Sequence, residues 1–444
     1  MSSVRSSRSW LGLALAATVL TSPGFAHAAL NVPAVKATVD GVLNKEYPHL
    51  DALYKDIHQH PELGFQEVET AAKLAKEMRA IGFEVTEHVG QTGIVAIYKN
   101  GPGPLVLVRT ELDALPMEEK TGLPYASHAT QMYKGRMSPV AHSCGHDIHM
   151  TAWVGTAKAM VAMKDKWHGT LMFIGQPAEE LIGGASAMLA DHLFERFGKP
   201  DMGFALHDGN NAFGEVDYKP GVLTSNADSI HIQFKGRGGH GSMPAVTIDP
   251  VLEAARFVVD LQSVVSREKD PSQFGVVTIG SIQAGSAGNI IPDHADLYGT
   301  MRSYDTEVRN HMMEGVKRTV KAVGDMAGAP EPLFEITESG KAVVNDAGLT
   351  EKTAPVFQAA FGAKAIRLTS PSAPSEDYSE FIIAGVPSLF FGIGAIDPKT
   401  IAEARAAGTF VPGPHSPYFA PVPEPTIRTG VEAMSLALMN VMSK

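Results

Sequence analysis

Three short apolar runs restrict this chain more than any other feature. Residues 104–109 read Pro-Leu-Val-Leu-Val-Arg, residues 169–174 read Gly-Thr-Leu-Met-Phe-Ile, and residues 202–207 read Met-Gly-Phe-Ala-Leu-His. None alternates apolar with polar side chains, so each is expected to be a strand covered on both faces. Helical patterns lie before and between them, at 47–60, 67–81 and the alanine-rich stretch 147–163. Residues 93–98 add another strand. Apolar strands interleaved with helices predict an α/β layer with a largely parallel sheet.

The pattern changes near residue 227. Residues 229–234 alternate as a half-exposed strand, and 249–267 is amphipathic, with Leu252, Ala255 and Val259 sharing one face. Strands at 276–283 and 295–302, a helix at 307–326 and a strand at 333–337 complete the order β-α-β-β-α-β. That is the split βαβ, ferredoxin-like unit. From Ala347 the α/β alternation resumes: a helix to Phe361, another around 376–384, a strand at 388–391 and a last helix from Pro425. The expectation is a catalytic domain over 29–226 and 339–444, interrupted by an inserted satellite domain at 227–338 that serves as lid or dimerisation unit. A length of 444 residues suits that count of domains.

Residues 1–28 read as a secretory signal. Arg5 and Arg8 precede a short apolar stretch, and Ala26-His27-Ala28 supplies small residues at the two positions a signal peptidase reads. The mature chain is expected to start at Ala29, in a bacterial periplasm or outside the cell. A net charge of −11 without a basic cluster argues against nucleic acid as a partner. No apolar run is long enough for a membrane span, so no membrane association is expected once the signal is removed. The single cysteine, Cys144, excludes an intrachain disulfide. A lone thiol in an exported protein risks oxidation, so its neighbours matter.

Those neighbours are His142-Ser-Cys144-Gly-His146-Asp147-Ile-His149, three histidines, a cysteine and an aspartate in eight residues. Cys144 and His146 at i, i+2 on a turn can face one ion, and thiolate with imidazole suits a borderline-soft divalent metal. Gln176-Pro-Ala-Glu179-Glu180 follows a buried strand. Two adjacent carboxylates repel unless a cation or proton holds one of them. The useful division gives one to a metal and leaves the other to take a proton from water. Arg109-Thr-Glu111-Leu-Asp113 and His207-Asp208 also lie at strand ends, where open α/β sheets place their ligands. Gly236-Arg-Gly-Gly-His240-Gly-Ser-Met-Pro, in the satellite region, presents His240 at a glycine-rich tip.

With these segments in order, the chain resembles the dinuclear metallo-amidohydrolase family of hippurate hydrolases, auxin-conjugate (indole-acetyl-amino-acid) hydrolases, aminoacylases and related carboxypeptidases. The resemblance runs from His58 to His415. It also draws on His58-Gln-His-Pro-Glu-Leu63, Asn289-Ile-Ile-Pro292, Ser375-Glu-Asp-Tyr378 and His415-Ser-Pro417. It implies a metallo-exopeptidase-like catalytic domain in which Cys144, His146, Glu180, His207 and His415 hold two divalent ions. Zinc or manganese is expected, with cobalt and nickel open. Glu179 would be the general base and later the proton donor. His240 would polarise the scissile carbonyl, and Asn289 and Arg302 would hold the substrate carboxylate. The implied activity is hydrolysis of N-acyl amino acids. The alternative is a metallo-dipeptidase or carboxypeptidase acting on short peptides. A homodimer is expected. Glu111, Ala245 and Asp208-Gly209 depart from the family's usual residues and bear on the substrate pocket.

Overall fold

The computed structural model describes residues 30–444, so the signal segment expected at 1–28 lies outside the described residues. Two helices, α1 (Val32–Gln59) and α2 (Val68–Ile81), lead into β1 (Glu84–Val89), β2 (Gly93–Asn100) and β3 (Leu105–Glu111). Then come α3 (His146–Ala162), β4 (Gly169–Gln176), β5 (Met202–Ala212) and β6 (Val216–Tyr218). A second unit follows: β7 (Asn226–Lys235), α4 (Pro250–Asp260), β8 (Gly275–Ala284), β9 (His294–Ser303), α5 (Thr306–Ala327) and β10 (Leu333–Gly340). The chain returns through α6 (Ala347–Phe361), β11 (Ala365–Arg367), β12 (Ser388–Ile396) and α7 (Pro423–Met442).

The first and last segments build one eight-stranded sheet, ordered β1-β2-β4-β3-β5-β12-β6-β11. Its central strands β4, β3, β5 and β12 are mutually parallel. Both faces are covered, as their uninterrupted apolar sequence requires. Val106 and Val108 join the core under α1, α3, α6 and α7, whereas Leu107 points into a separate cluster with Met188 and Phe381 on the other face. The second unit is a four-stranded antiparallel sheet ordered β8-β9-β7-β10, the ferredoxin-like arrangement. Its core joins Ile230, Ile232 and Phe234 to Phe257 of α4 and to Met312, Val316 and Val320 of α5. Among the described residues, no helix is long and apolar enough to cross a membrane.

Several elements differ from the sequence-based expectation. Helix α1 begins at Val32 rather than near residue 47 and carries Pro48 in its interior. Val35, Val39 and Leu43 repeat at helical spacing and are buried, and that packing outweighs the proline. On α4 the buried residues are Pro250, Glu253, Ala254 and Phe257, while Leu252 and Val259 stay 49% and 71% exposed. Phe257 packs against Phe234, so the ring rather than the Leu252–Val259 stripe sets the helix's rotation. Strand β5 runs on to Ala212, which places His207 within the strand and not at its end.

Candidate active site

Residue Gly145 brings the ligand-rich loop down onto the sheet. Its φ is +86°, and a Cβ there would lie 2.3 Å from an oxygen of Asp208, so only glycine allows this approach. Cys144 and His146 flank it, and His146 opens α3. The His146 Nδ1–H donates to the carbonyl of Asp113 at 2.8 Å, which leaves Nε2 buried with no partner. His207 is held alike. Its Nδ1–H donates to the carbonyl of Asp208 at 2.6 Å, and its Nε2 lies 3.4 Å from Cys144 Sγ. Both rings are thereby fixed in the tautomer that offers a free nitrogen lone pair.

The turn after β4 carries the carboxylate doublet. Ala178 and Ile182 on either side adopt positive φ values of 48° and 51°. The Ala178 N–H donates to Glu67 at 2.7 Å and the Glu180 N–H donates to Asp113 Oδ2 at 2.9 Å, which pins the turn. Glu180 Oε2 lies 3.4 Å from His415 Nε2, and its Oε1 is buried without a partner. His415 has a positive φ of 67°, and its N–H donates to the Ser143 carbonyl at 2.7 Å. The two acids are driven apart. Burial, then Glu376, Glu180 and Asp377, pushes Glu179 well above the carboxylate range against the pull of Arg109. Burial also works against Glu180, yet its hydrogen bond to His415 and the charge of His146 hold it low.

Cys144, His146 and His207 bring their donor atoms within 4.8 Å of one another, as do Cys144, Glu180 and His415. The two triads share the thiol. A sulfur, three imidazoles and a carboxylate, with partnerless atoms on His146 and Glu180, fit borderline-soft divalent cations. Burial and the neighbouring Glu180 and Glu179 raise the Cys144 pKa well above a thiol's usual value. A bound cation would reverse that. Glu111, His149 and Asp208 have no assigned role in the expectation from sequence. Glu111–His146–His149 and His149–His207–Asp208 are also grouped closely enough to hold an ion. Their signal lay in the same segments as the other donors: Glu111 ends β3, His149 lies in the first turn of α3 and Asp208 follows His207 in β5.

A buried network stands behind these groups. Arg109 donates from Nε to Gln176 at 2.9 Å and from Nη2 to Glu376 at 2.7 Å, and it also pairs with Glu111. His58 bridges Asp147 at 2.6 Å and Glu119 at 3.2 Å. Burial opposes the charged His58 ring, but the two carboxylates outweigh it and raise its pKa to about 10.

A cleft of about 750 Å³ opens at the carboxyl ends of the parallel strands. Cys144, Glu179, Glu180, His207 and His415 line it, and Arg302 reaches it from the satellite unit. His240 and Asn289 do not line it. They are exposed and lie together, with His240 paired to Ile290 and the Gly241 N–H donating to the Asn289 carbonyl at 2.8 Å. They sit at the far end of the small sheet. In β7 and β9, Asn226 pairs with Ser303 beside the cleft and Lys235 pairs with His294 at the other end. Nine residue steps make that separation roughly 30 Å. The Ser242 N–H donates to His240 Nδ1 at 3.1 Å, so the proton sits on Nε2, ready to be donated outward.

Residues 107–440 match peptidase family M20/M25/M40. The chain belongs to this family. It is 37% identical over 332 residues to the hippurate hydrolase of Campylobacter jejuni, which spans 73% of this chain and 82% of that protein. It is 34% identical over 359 residues to the N-acetyldiaminopimelate deacetylase of a Geobacillus species, spanning 80% and 91% of the two. The solved structure of the Bacillus subtilis YXEP protein, described as a dinuclear metal binding peptidase from the M20 family, is similar with a TM-score of 0.70 at 27% identity. It covers 91% of this chain and 99% of that one. The family and these relatives make the chain a hydrolase, and its clustered donors make it a metal-binding one.

Proposed function

We propose that the protein is a metal-dependent amidohydrolase that cleaves the amide bond of N-acyl amino acids, hippurate-like conjugates among them. The observation that carries this reading is the split doublet: Glu180 Oε2 lies 3.4 Å from His415 in the donor cluster, while Glu179 stands beside it with an oxygen 3.9 Å from His146 Nε2. Cys144, His146, Glu180, His207 and His415 would hold two divalent ions, zinc or manganese first, with cobalt and nickel open. Bound cations would polarise the amide carbonyl and make water acidic enough to react near neutral pH. Glu179 takes the proton of the attacking water and then delivers it to the nitrogen of the leaving amine. Its raised pKa suits both halves of that exchange. Arg302, in the cleft wall, pairs its planar guanidinium with the substrate carboxylate. Asn289 assists from the satellite unit. The His240 Nε2–H stabilises the developing oxyanion.

For His240 the distance is decisive. Closure of its own satellite unit, the simplest route read from sequence, would have to carry the tip across roughly 30 Å. A second copy offers a shorter route. Strand β8 is a free edge of the small sheet, and Val276 and Ile282 on it are exposed, as are Val251, Leu252 and Val259 on the adjacent α4. Two β8 edges related by a two-fold axis pair antiparallel. That pairing sets the distal tip of one protomer beside the cleft end of the other. The expected assembly is therefore a homodimer that shares its sites. Removal of the signal, giving a mature protein that begins at Ala29 in the periplasm or outside the cell, is part of the same proposal.

The decisive measurement is a hydrolysis panel on chelated protein resupplied with zinc, manganese, cobalt or nickel, offering N-acyl amino acids beside dipeptides. Activity that is lost to chelation, restored by metal and strongest on the acylated amino acids supports the reading. Stronger turnover of dipeptides would transfer the assignment to a metallo-dipeptidase. Activity indifferent to chelation would overturn both.

A further inference from the structure

Beyond the donor cluster, the cleft floor carries a carboxylate that the reaction does not use. In the sheet, His207 of β5 pairs with Gly392 of β12, and Gly392 pairs in turn with Asp217 of β6. Paired residues on neighbouring strands project from the same face, so Asp217 points to the side on which His207 meets Cys144. The residue between them has no side chain. A Cβ on Gly392 would lie 2.4 Å from an Asp217 oxygen, so the carboxylate rests directly over that glycine. All three residues line the cleft. Two strand spacings put Asp217 about 10 Å from His207 along the floor.

The Asp217 carboxylate is held but not neutralised. Asn211 Nδ2 donates to it at 3.1 Å, and the Gly392 backbone N–H also faces it. Among the described residues, no Lys, Arg or His forms an ion pair with it. The one charged neighbour that acts on it, Glu215, is of like sign. A half-buried acid without an ion-pair partner gains little for the fold, and an apolar residue of similar size would serve stability as well. Apolar Leu223, Leu368 and Phe390 line the same cleft, beside Thr224, Ser372 and Ser375. Arg302 lies in the same cleft with its Nη1 donating to Thr300 Oγ1 and the Met301 carbonyl of its own strand. The cleft therefore offers a cation for a carboxylate and, separately, an acid for a positive group.

We infer that Asp217 is a specificity-determining residue that selects substrates bearing an ammonium group four or five carbons from the reacting amide. This rests on the amidohydrolase reading and names the substrate class for that site. The chemistry is the same whether the ammonium belongs to the amino-acid side chain or to the acyl chain. Two matched pairs separate the sources: Nα-acetyl-lysine with Nα-acetyl-norleucine, and 6-aminohexanoyl-glycine with heptanoyl-glycine. The metal-loaded enzyme should favour the ammonium member of one pair by tenfold or more in kcat/KM. In Asp217→Asn, which keeps the shape and the bond to Asn211, that preference should vanish while the neutral member stays within about threefold. Asp217→Glu, which keeps the charge, should retain part of it. The preference is a ratio measured on one preparation, so partial misfolding of a variant does not affect it. Hydrolysis of the neutral members with no preference for ammonium would overturn the role of Asp217 and leave the amidohydrolase reading standing. So would an equal loss on both members in Asp217→Asn, the mark of a structural residue. Failure to hydrolyse any of the four would overturn both.

Discussion

Glu179 and Glu180 are neighbours in sequence, yet their surroundings suit them to the opposite tasks proposed for them. The difference lies in what surrounds each carboxylate: His415 lies 3.4 Å from Glu180, whereas burial and the charges of Glu376, Glu180 and Asp377 bear on Glu179. Glu179→Gln should therefore keep its metal by elemental analysis and lose about two to four orders of magnitude in kcat, as when a general base is removed. Glu180→Gln should instead lower the metal content, and so should Cys144→Ala. His58 permits a prediction in the pH dimension. Folding raises its pKa from 6.5 to about 10, so its contribution to stability is complete below about pH 6.5 and is lost as the pH rises through about 10. His58→Gln leaves Asp147 and Glu119 without their buried cation and should cost about 3 kcal/mol near neutrality. Thermal melts of the two proteins across that range should show a gap that is widest at the acidic end and narrows toward its alkaline end.

At the scale of elements, packing aims the site. Helix α3 begins with His146, and its direction is fixed where it crosses α7. A Cβ on Gly155 would lie 2.5 Å from Val431 and 3.3 Å from Leu50, so the helices approach as closely as glycine permits. Gly155→Leu should cost about 1–3 kcal/mol through overpacking and, by tilting α3, weaken metal binding. Gly41, inside α1, has nothing within 4 Å of its missing Cβ. Gly41→Ala should stabilise by about 0.5–1 kcal/mol in thermal unfolding and leave kcat/KM unchanged. The same contrast explains what could be read from the sequence. Buried strands such as β3 and β4 are legible because being covered on both faces leaves a continuous apolar run. Cys144, His146 and the Glu179–Glu180 doublet are legible because they crowd ligand chemistry into short segments. Strands β6 and β11, three residues each, are too short for any period to show. Asp217 is a lone acid in an ordinary stretch, and only the cross-strand row with Gly392 and His207 brings it to the cleft. The rotation of α4 is not legible because Leu252 and Val259 form a credible apolar stripe that no described residue covers.

That exposed stripe, the free β8 edge and the distant His240 are one problem at the scale of the molecule. A single chain holds Glu179 in its cleft and His240 at the far end of its small sheet, and no described segment spans the gap. The proposed antiparallel pairing of two β8 edges would solve it twice, once for each cleft, and would bury the stripe in the same step. Light scattering during gel filtration should give a mass of two chains, and Ile282→Lys, placed on the β8 edge, should shift the protein toward monomer and lower its activity with it. The sharper test mixes two inactive proteins, Glu179→Gln and His240→Ala, under conditions that exchange subunits. In each mixed dimer, one cleft combines an intact Glu179 with the intact His240 of its partner, while the other contains both substitutions. Half of an equal mixture is mixed dimer, and half of its clefts are competent, so about a quarter of the wild-type activity should return. If each chain used its own His240, every cleft in the mixture would carry one substitution and no activity would appear at any ratio.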